Sequence, residues 1–112
     1  MKKLPKKSTI KAKIDKLVGA LCRAVGHCER CGSTETLQWC HISSRAYLST
    51  RWMFENYLCL CAACHFWMHK NPTLFSEWFN SVFPGRSKKI HEALQKGETW
   101  DVHRMLKFLA SL

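Results

Sequence analysis

Two Cys-x-x-Cys pairs constrain the fold of this chain more than any other feature of its sequence. Cys28 and Cys31 form the first pair, and Cys61 and Cys64 form the second pair about thirty residues later. Zinc in structural sites takes four ligands in a tetrahedron, and cysteine thiolate is one of the ligands it prefers. The two pairs together therefore predict a structural Zn²⁺ ion that joins two distant segments of the chain.

The other cysteines and the N-terminus argue against a disulfide framework. The seven cysteines are an odd number, and the basic stretch from Met1 to Lys7 is not followed by the apolar run of a signal peptide. A repeated Cys-x-x-Cys in a chain without a secretion signal favours thiolates on a metal over disulfides. No apolar run approaches the ~20 residues that cross a membrane. We therefore expect a cytoplasmic protein that makes no membrane contact.

Length and charge limit the domain count and the partner. The 112 residues predict a single domain, 1–112, and the apolar share of 46% predicts a folded core. A small domain buries a modest fraction of its surface, so a bound metal would stabilise it materially. The net charge of +10 favours a polyanionic partner, and nucleic acid is the polyanion we expect.

Hydrophobic periodicity divides the chain into four segments. Residues 1–7 form a basic arm, and residues 8–26 form an amphipathic helix that ends at Gly26, a residue typical of helix C-caps. Lys11 and Lys13 lie on the polar side of this helix and are candidate DNA contacts. Residues 27–70 form the zinc core, and residues 71–112 form C-terminal helices that begin at Pro72 after an Asn71 cap. We predict an α+β, mostly helical fold.

The zinc core contains two short strands and a basic loop between them. The segments 36–42 and 57–60 read as strands of a hairpin, and the second cysteine pair opens a helix. A Cys-x-x-Cys turn that presents two ligands to zinc is called a zinc knuckle. A treble-clef zinc finger has one knuckle on a hairpin and a second knuckle at the start of a helix. In the loop, Arg45 and Arg51 alternate with aromatic residues, which suits phosphate contacts. We expect Trp52 and Phe54 to pack inward.

Cysteine, histidine and asparagine residues follow one another in a specific order between positions 28 and 69. The elements are Cys28-x-x-Cys31, Cys40-His41-Ile42, Asn56, Cys61-x-x-Cys64-His65 and His69. This order resembles that of zinc-bearing HNH endonucleases. More narrowly, three runs resemble the small NinG-like recombination nucleases of phages: Leu37-Gln38-Trp39-Cys40-His41-Ile42-Ser43-Ser44-Arg45, Arg51-Trp52 and Cys59-Leu60-Cys61. The resemblance covers roughly residues 8 to 85 and implies a ββα-metal site on a treble-clef core.

The resemblance assigns a role to four residues. The first histidine of the HNH motif is the general base, and it matches His41. The asparagine that orients the site matches Asn56, and the closing histidine falls at His65 or His69. Because these two lie at i and i+4 on one helix, both can reach one catalytic ion, Mg²⁺, Mn²⁺ or Zn²⁺. Phosphodiester hydrolysis needs a base near neutral pH and positive charge beside the phosphate, so the chemistry agrees.

Cys40 departs from the HNH pattern. The residue before the base is often Asp or His in this family and binds the catalytic metal, and thiolate is a poor ligand for Mg²⁺ and a better one for softer ions. Three alternatives stay open from the sequence: Cys40 is not a ligand, the metal preference is shifted, or the catalytic site is weakened.

The leading prediction is a metal-dependent endonuclease that acts on double-stranded or branched DNA. The resemblance implies a phage-infected or prophage-bearing bacterial host, and nucleases of branched DNA often work as homodimers. A non-catalytic zinc-finger module that binds DNA is the alternative, which Cys40 favours. A zinc-stabilised protein-interaction module is a third class.

Overall fold

The protein folds around a two-stranded antiparallel hairpin with helices on both sides. We analysed a computed structural model, which describes residues 6–97 and positions 104, 107, 110 and 111. Most of the basic arm, residues 1–5, and the start of the last predicted helix, residues 98–103, lie outside the described residues. Within residues 6–97 the elements in chain order are α1 (Lys7–Arg23), β1 (Leu37–His41), α2 (Leu48–Arg51), a 3-10 turn (Phe54–Asn56), β2 (Tyr57–Cys61), α3 (Ala62–Lys70), α4 (Pro72–Val82) and α5 (Arg86–Lys96).

The sequence predicted an α+β fold with a short hairpin, and the structure contains this hairpin. Leu37 pairs with Cys61 at one end, and His41 pairs with Tyr57 at the other. Side chains alternate between the two faces of a strand, so Trp39 and His41 of β1 lie on one face while residues 38 and 40 lie on the other. Each face then packs against its own set of helices.

One face of the hairpin is covered by α1. Ile10, Ile14 and Val18 recur at helical spacing and pack with Trp52 against residues of the strands. The helix ends at Arg23, three residues before the predicted end, so the expectation of a C-cap at Gly26 was wrong. Ala24 is the cap residue, and Gly26 takes its φ of +83° in the turn beyond the helix. That turn redirects the chain into the first cysteine pair.

The opposite face of the hairpin carries the larger core. Leu58 and Leu60 of β2 pack against α4 and α5 through Phe75, Phe79 and Ile90. The α4 helix begins at Pro72 as predicted, since proline lacks only an N–H that the first turn would leave unpaired. None of the helices within the described residues is long and apolar enough to cross a membrane.

The segment between the strands packs partly as predicted. Trp52 is buried, as expected. Phe54 was expected to pack inward and is instead 60% exposed, because the 3-10 turn directs it outward. At the surface its ring lies 4.8 Å from the Arg86 guanidinium, and cation–π contacts of this kind stabilise an exposed aromatic ring.

Candidate functional site

The four cysteines of the two Cys-x-x-Cys pairs converge at one end of the hairpin. Their Sγ atoms all lie within 4.8 Å of one another, and those of Cys31 and Cys61 are 3.6 Å apart. Zn–S bonds of 2.3 Å at tetrahedral angles separate two sulfurs by about 3.8 Å. Cys28, Cys31, Cys61 and Cys64 therefore lie close enough to hold a metal ion, and their geometry and chemistry fit a structural zinc.

Backbone N–H groups already point at the sulfurs. The N–H of Cys31 donates to Cys28 Sγ and the N–H of Cys64 donates to Cys61 Sγ, each at 3.5 Å. Gly32 closes the first knuckle with a φ of +81°, a conformation that glycine adopts without steric cost, and its N–H donates to the Cys28 carbonyl at 2.9 Å. Cys61 ends β2 and also caps α3, so strand and helix meet at the cluster.

The first knuckle is held against β2 by residues that sequence reasoning did not single out. The N–H of Glu29 donates to the Cys59 carbonyl, and the N–H of Cys59 donates to Glu29 Oε2, both at 2.8 Å. The Arg30 guanidinium donates to Cys64 Sγ at 3.3 Å and stacks 3.6 Å from the Trp67 ring. Arg30 thus brings a positive charge to a cluster of thiolates, and it links the knuckle to α3.

The thiols of the cluster differ in acidity. Burial alone would raise the pKa of Cys28, but backbone N–H groups, that of Cys31 first among them, outweigh burial and lower this pKa to about 6. Burial raises the pKa of Cys64 to about 12, and the neighbouring thiols add to this rise against the bond from Arg30. Because close thiolates repel one another, full ionisation of the cluster requires a bound cation.

His41 lies at the end of β1, and a hydrogen bond assigns its tautomer. Its Nε2 is 3.1 Å from the backbone carbonyl oxygen of Arg51. A carbonyl can only accept, so Nε2 carries the proton and Nδ1 keeps its lone pair. Burial lowers the pKa of His41, against the bond to Arg51, which raises it. The imidazole is therefore neutral near pH 7, and Nδ1 is its basic atom.

His65 and His69 form a pair on α3. Their Nε2 atoms are 3.1 Å apart, and Gln38 Oε1 lies 2.7 Å from Nδ1 of His65. Two nitrogens bound to one ion at about 2.05 Å are separated by about 2.9 Å at a right angle and about 3.3 Å at the tetrahedral angle. The observed distance is that of a hydrogen bond between the two rings, and it is also compatible with two ligands of one divalent ion. Gln38 was not foreseen, because it lies 27 residues away in sequence.

The three histidines line one cleft, with a volume of about 720 Å³. It opens between the hairpin, the loop that follows β1, α3, α4 and the start of α5. The described residues that line it carry no carboxylate, and the cation among them is Arg45. They are Trp39, His41, Ile42, Ser44, Arg45, His65, Met68, His69, Pro72, Phe75, Ser76, Phe79 and Ser87. The cleft therefore combines imidazole nitrogens with positive charge and hydroxyl groups.

Asn56 holds the loop that follows His41. The side chain is fully buried, and its Oδ1 accepts from the N–H of Ser43 at 2.7 Å. Its Nδ2 donates to the carbonyls of Ser43 and Thr50, at 3.2 and 2.9 Å. The side chain thus connects the backbone of Ser43 to that of Thr50, and the orienting role that the HNH resemblance implied stays a prediction.

The two arginines of the loop both contact Asp15 of α1, but they differ in exposure. Arg51 donates to both carboxylate oxygens, through Nε at 3.0 Å and a terminal nitrogen at 2.5 Å, and its side chain is 16% exposed. Arg45 donates once, at 3.1 Å, and is 62% exposed. The indole of Trp52 also donates to Asp15, at 2.8 Å. Arg51 is therefore held inside the fold, whereas Arg45 stands at the cleft.

Asp15 is an anchor that the sequence did not reveal. Burial alone would raise its pKa, but hydrogen bonds from Arg51 and Trp52 and the charges of both arginines outweigh burial and lower it. The carboxylate is thus charged at neutral pH.

On the same helix Lys13 is exposed and Lys11 is partly exposed, so solvent and ligands can reach both.

Cys40 lies in the core rather than at the cleft. It is fully buried beside Leu58 and Leu60, and its thiol donates to the Gln38 carbonyl at 3.5 Å. Burial raises the pKa of this thiol to about 12. Cys40 is packed among apolar side chains and does not line the cleft of the three histidines, so among the three alternatives the structure favours Cys40 as a packing residue.

Comparison of the chain with protein-family models, with curated proteins and with solved structures found no match. The resemblance to HNH endonucleases therefore remains a prediction that depends on the residues themselves.

Proposed function

We propose that the protein is a metal-dependent DNA endonuclease of the HNH type. This proposal depends on one observation: His41, His65 and His69 line the same cleft, and the described residues that line it include no Asp or Glu. A phosphodiester is anionic, and the exposed guanidinium of Arg45 at this cleft can attract it. The net charge of +10 suits a DNA partner, double-stranded or branched.

His41 acts as the general base in this proposal. Its Nε2–H is held by the Arg51 carbonyl, so Nδ1 is left to take a proton from the attacking water. Asn56 fixes the loop that carries the Arg51 carbonyl, through its bond to Thr50. The base and its support thus come from one rigid segment.

His65 and His69 bind the catalytic cation in this proposal. A bound divalent ion supplies positive charge beside the phosphate and the leaving oxygen. Imidazole suits zinc and nickel better than magnesium, whose preferred ligands are carboxylate and water oxygens. The pair therefore favours a transition metal such as Zn²⁺ over Mg²⁺. Arg45 stands at the cleft to contact phosphate oxygens.

The finer fold assignment belongs to the same proposal. The hairpin followed directly by α3 has the element order of a ββα-metal unit, and the second cysteine pair at the start of α3 supports a treble clef. A structural zinc at Cys28, Cys31, Cys61 and Cys64 would then hold the loop that precedes β1 against the end of β2 and the start of α3.

Nicking of supercoiled plasmid and of synthetic four-way junctions tests the proposal, with Mg²⁺, Mn²⁺, Ni²⁺ and Zn²⁺ supplied in turn. We expect cleavage by the wild type and a loss of at least about 100-fold in His41→Ala, since a positioned base contributes roughly 10²–10⁴-fold. His91→Ala is the matched control, because His91 is exposed on α5 and outside the cleft. Equal background rates for wild type and His41→Ala would refute the proposal.

The buried position of Cys40 favours one alternative function. The HNH resemblance expects a metal ligand at this position, and the chain has a core residue there. A zinc-finger module that binds DNA without cutting would need no such ligand. Salt-sensitive binding of DNA with no cleavage in any of the four metals would identify this alternative.

A further inference from the structure

We propose that Gln38 is the positioning residue of the His65–His69 metal pair. Its side-chain oxygen lies 2.7 Å from Nδ1 of His65, across the boundary between β1 and α3. This inference rests on the proposed function, because it concerns the same cation site. Gln38 lies on β1, whereas the two histidines lie on α3, and the proposed role of Gln38 is to orient the imidazole of His65.

The hydrogen bond selects one form of the imidazole. An amide oxygen only accepts, so Nδ1 of His65 carries the proton and Nε2 keeps its lone pair. That lone pair belongs to the nitrogen that lies 3.1 Å from Nε2 of His69, which donates to it in the absence of an ion. Without the bond to Gln38, a neutral imidazole populates both tautomers, and in one of them Nε2 of His65 is protonated and has no lone pair for a cation. Gln38 thus prepares His65 before a cation arrives.

The location of Gln38 fixes the backbone from which this bond is made. The residue pairs with Leu60, next to the Leu37–Cys61 end of the hairpin, and Leu60 is fully buried. Neighbouring Cys61 and Cys64 anchor the start of α3 to the same hairpin, so the distance between strand and helix is held by the cysteine cluster. Partners of this kind, which orient a ligating histidine through its second nitrogen, tune metal affinity by about 10- to 100-fold.

Metal titration of the full zinc-loaded chain tests the inference. Ni²⁺ is the probe, because imidazole suits it and the structural cysteines are already occupied by zinc. We expect Gln38→Met, which keeps the side-chain length but removes the acceptor, to weaken Ni²⁺ binding by about 10- to 100-fold in calorimetry. Gln38→Glu keeps an acceptor and is expected to bind at least as tightly as wild type. Gln95→Met, on the exposed side of α5, is the control for the substitution itself.

A second readout does not depend on metal. Long-range ¹H–¹⁵N correlation spectra of the chain without Ni²⁺ report which nitrogen of His65 is protonated. We expect Nδ1–H in the wild type and in Gln38→Glu, and a mixture of tautomers in Gln38→Met. Thermal melting of each variant verifies that the fold is retained, and Gln38→Glu keeps the test decisive if Gln38→Met is unstable: loss of Nδ1–H or of Ni²⁺ affinity in Gln38→Glu would overturn the inference.

The outcomes separate the two proposals. If His65→Ala weakens Ni²⁺ binding but Gln38→Met does not, the metal pair stands and the role of Gln38 is refuted. If neither His65→Ala nor His69→Ala weakens Ni²⁺ binding, the cation site itself is refuted, and the role of Gln38 with it. Weakening by both His65→Ala and Gln38→Met, with the tautomer change, supports the inference.

Discussion

Asp15 offers a direct comparison of a mostly buried and an exposed ion pair that share one carboxylate. Replacing Asp15 by Ala removes the acceptor of both arginines and of the Trp52 indole. The side chain of Arg51 is 16% exposed, so its guanidinium would lose its anion inside the fold. The side chain of Arg45 is 62% exposed, so its guanidinium would gain water instead. The free energy of unfolding should therefore depend mainly on the Arg51 pair.

The magnitude follows from exposure. Removing one partner of a buried pair costs about 3–5 kcal/mol, because the other charge is left without compensation. Asp15 and Arg51 each keep a small exposed fraction, so we expect about 3 kcal/mol for this contact. An exposed pair such as Asp15–Arg45 contributes about 0–1 kcal/mol. The two coupling energies should thus differ by roughly 2 kcal/mol.

Two double-mutant cycles measure these coupling energies. One combines Asp15→Ala with Arg51→Met and the other combines it with Arg45→Met, each in urea at pH 7 with excess zinc. Unfolding is followed by circular dichroism, and the coupling energy is the part of the double-mutant effect that the single effects do not explain. High salt should reduce the Arg45 coupling and leave the Arg51 coupling nearly unchanged, since buried charges are screened less.

Equal coupling energies, or a larger one for Arg45, would refute this reasoning. Either result would mean that the two-oxygen contact of Arg51 with Asp15 does not dominate the stability of the junction between α1 and the loop. A small coupling for Arg51 together with a normal fold would mean that its guanidinium finds water despite its low exposure.

Four more predictions concern single residues. Cys64→Ser should unfold the chain, because metal binding and folding are linked, and an unchanged circular dichroism melt would rule out a structural zinc. Asn56→Ala removes the acceptor of the Ser43 N–H and should lower the free energy of unfolding, measured in urea, by about 3 kcal/mol. A loss below about 1 kcal/mol would mean that Asn56 does not hold the loop. The cleavage rate should rise with pH through a pKa below the usual 6.5 and then stay level, because burial lowers the pKa of His41 and the base acts when neutral; a midpoint above 6.5 would contradict this. Arg45→Ala should weaken DNA binding and reduce the slope of log affinity against log salt by about 1, and an unchanged slope would exclude a phosphate contact.

The short-range features of the fold were predictable because their signals are local. The x-x spacing of each cysteine pair is set by one tight turn, so the four ligands could be named without a structure, and the described cluster agrees with them. The start of α4 at Pro72 also follows from one residue type at one position. The end of α1 was predicted less well, because Gly26 serves the following turn and not the helix.

The partners of the site residues could not be predicted, because they depend on the register between distant segments. Asp15 meets Arg51 across 36 residues, and Gln38 meets His65 across 27. No spacing rule relates such positions, since their contact depends on how α1 and α3 pack on opposite sides of the hairpin. The same packing buried Cys40 and exposed Phe54.

The sequence alone determined which atoms are present for metal and proton chemistry: four thiols in two knuckles, and three histidines in a defined order. Tertiary structure decided which of these groups share a cleft, which imidazole nitrogen keeps its lone pair, and which arginine is held by a carboxylate. The physical reason is that residue type sets what a group can donate or accept, whereas only packing sets the distance and direction at which it does so.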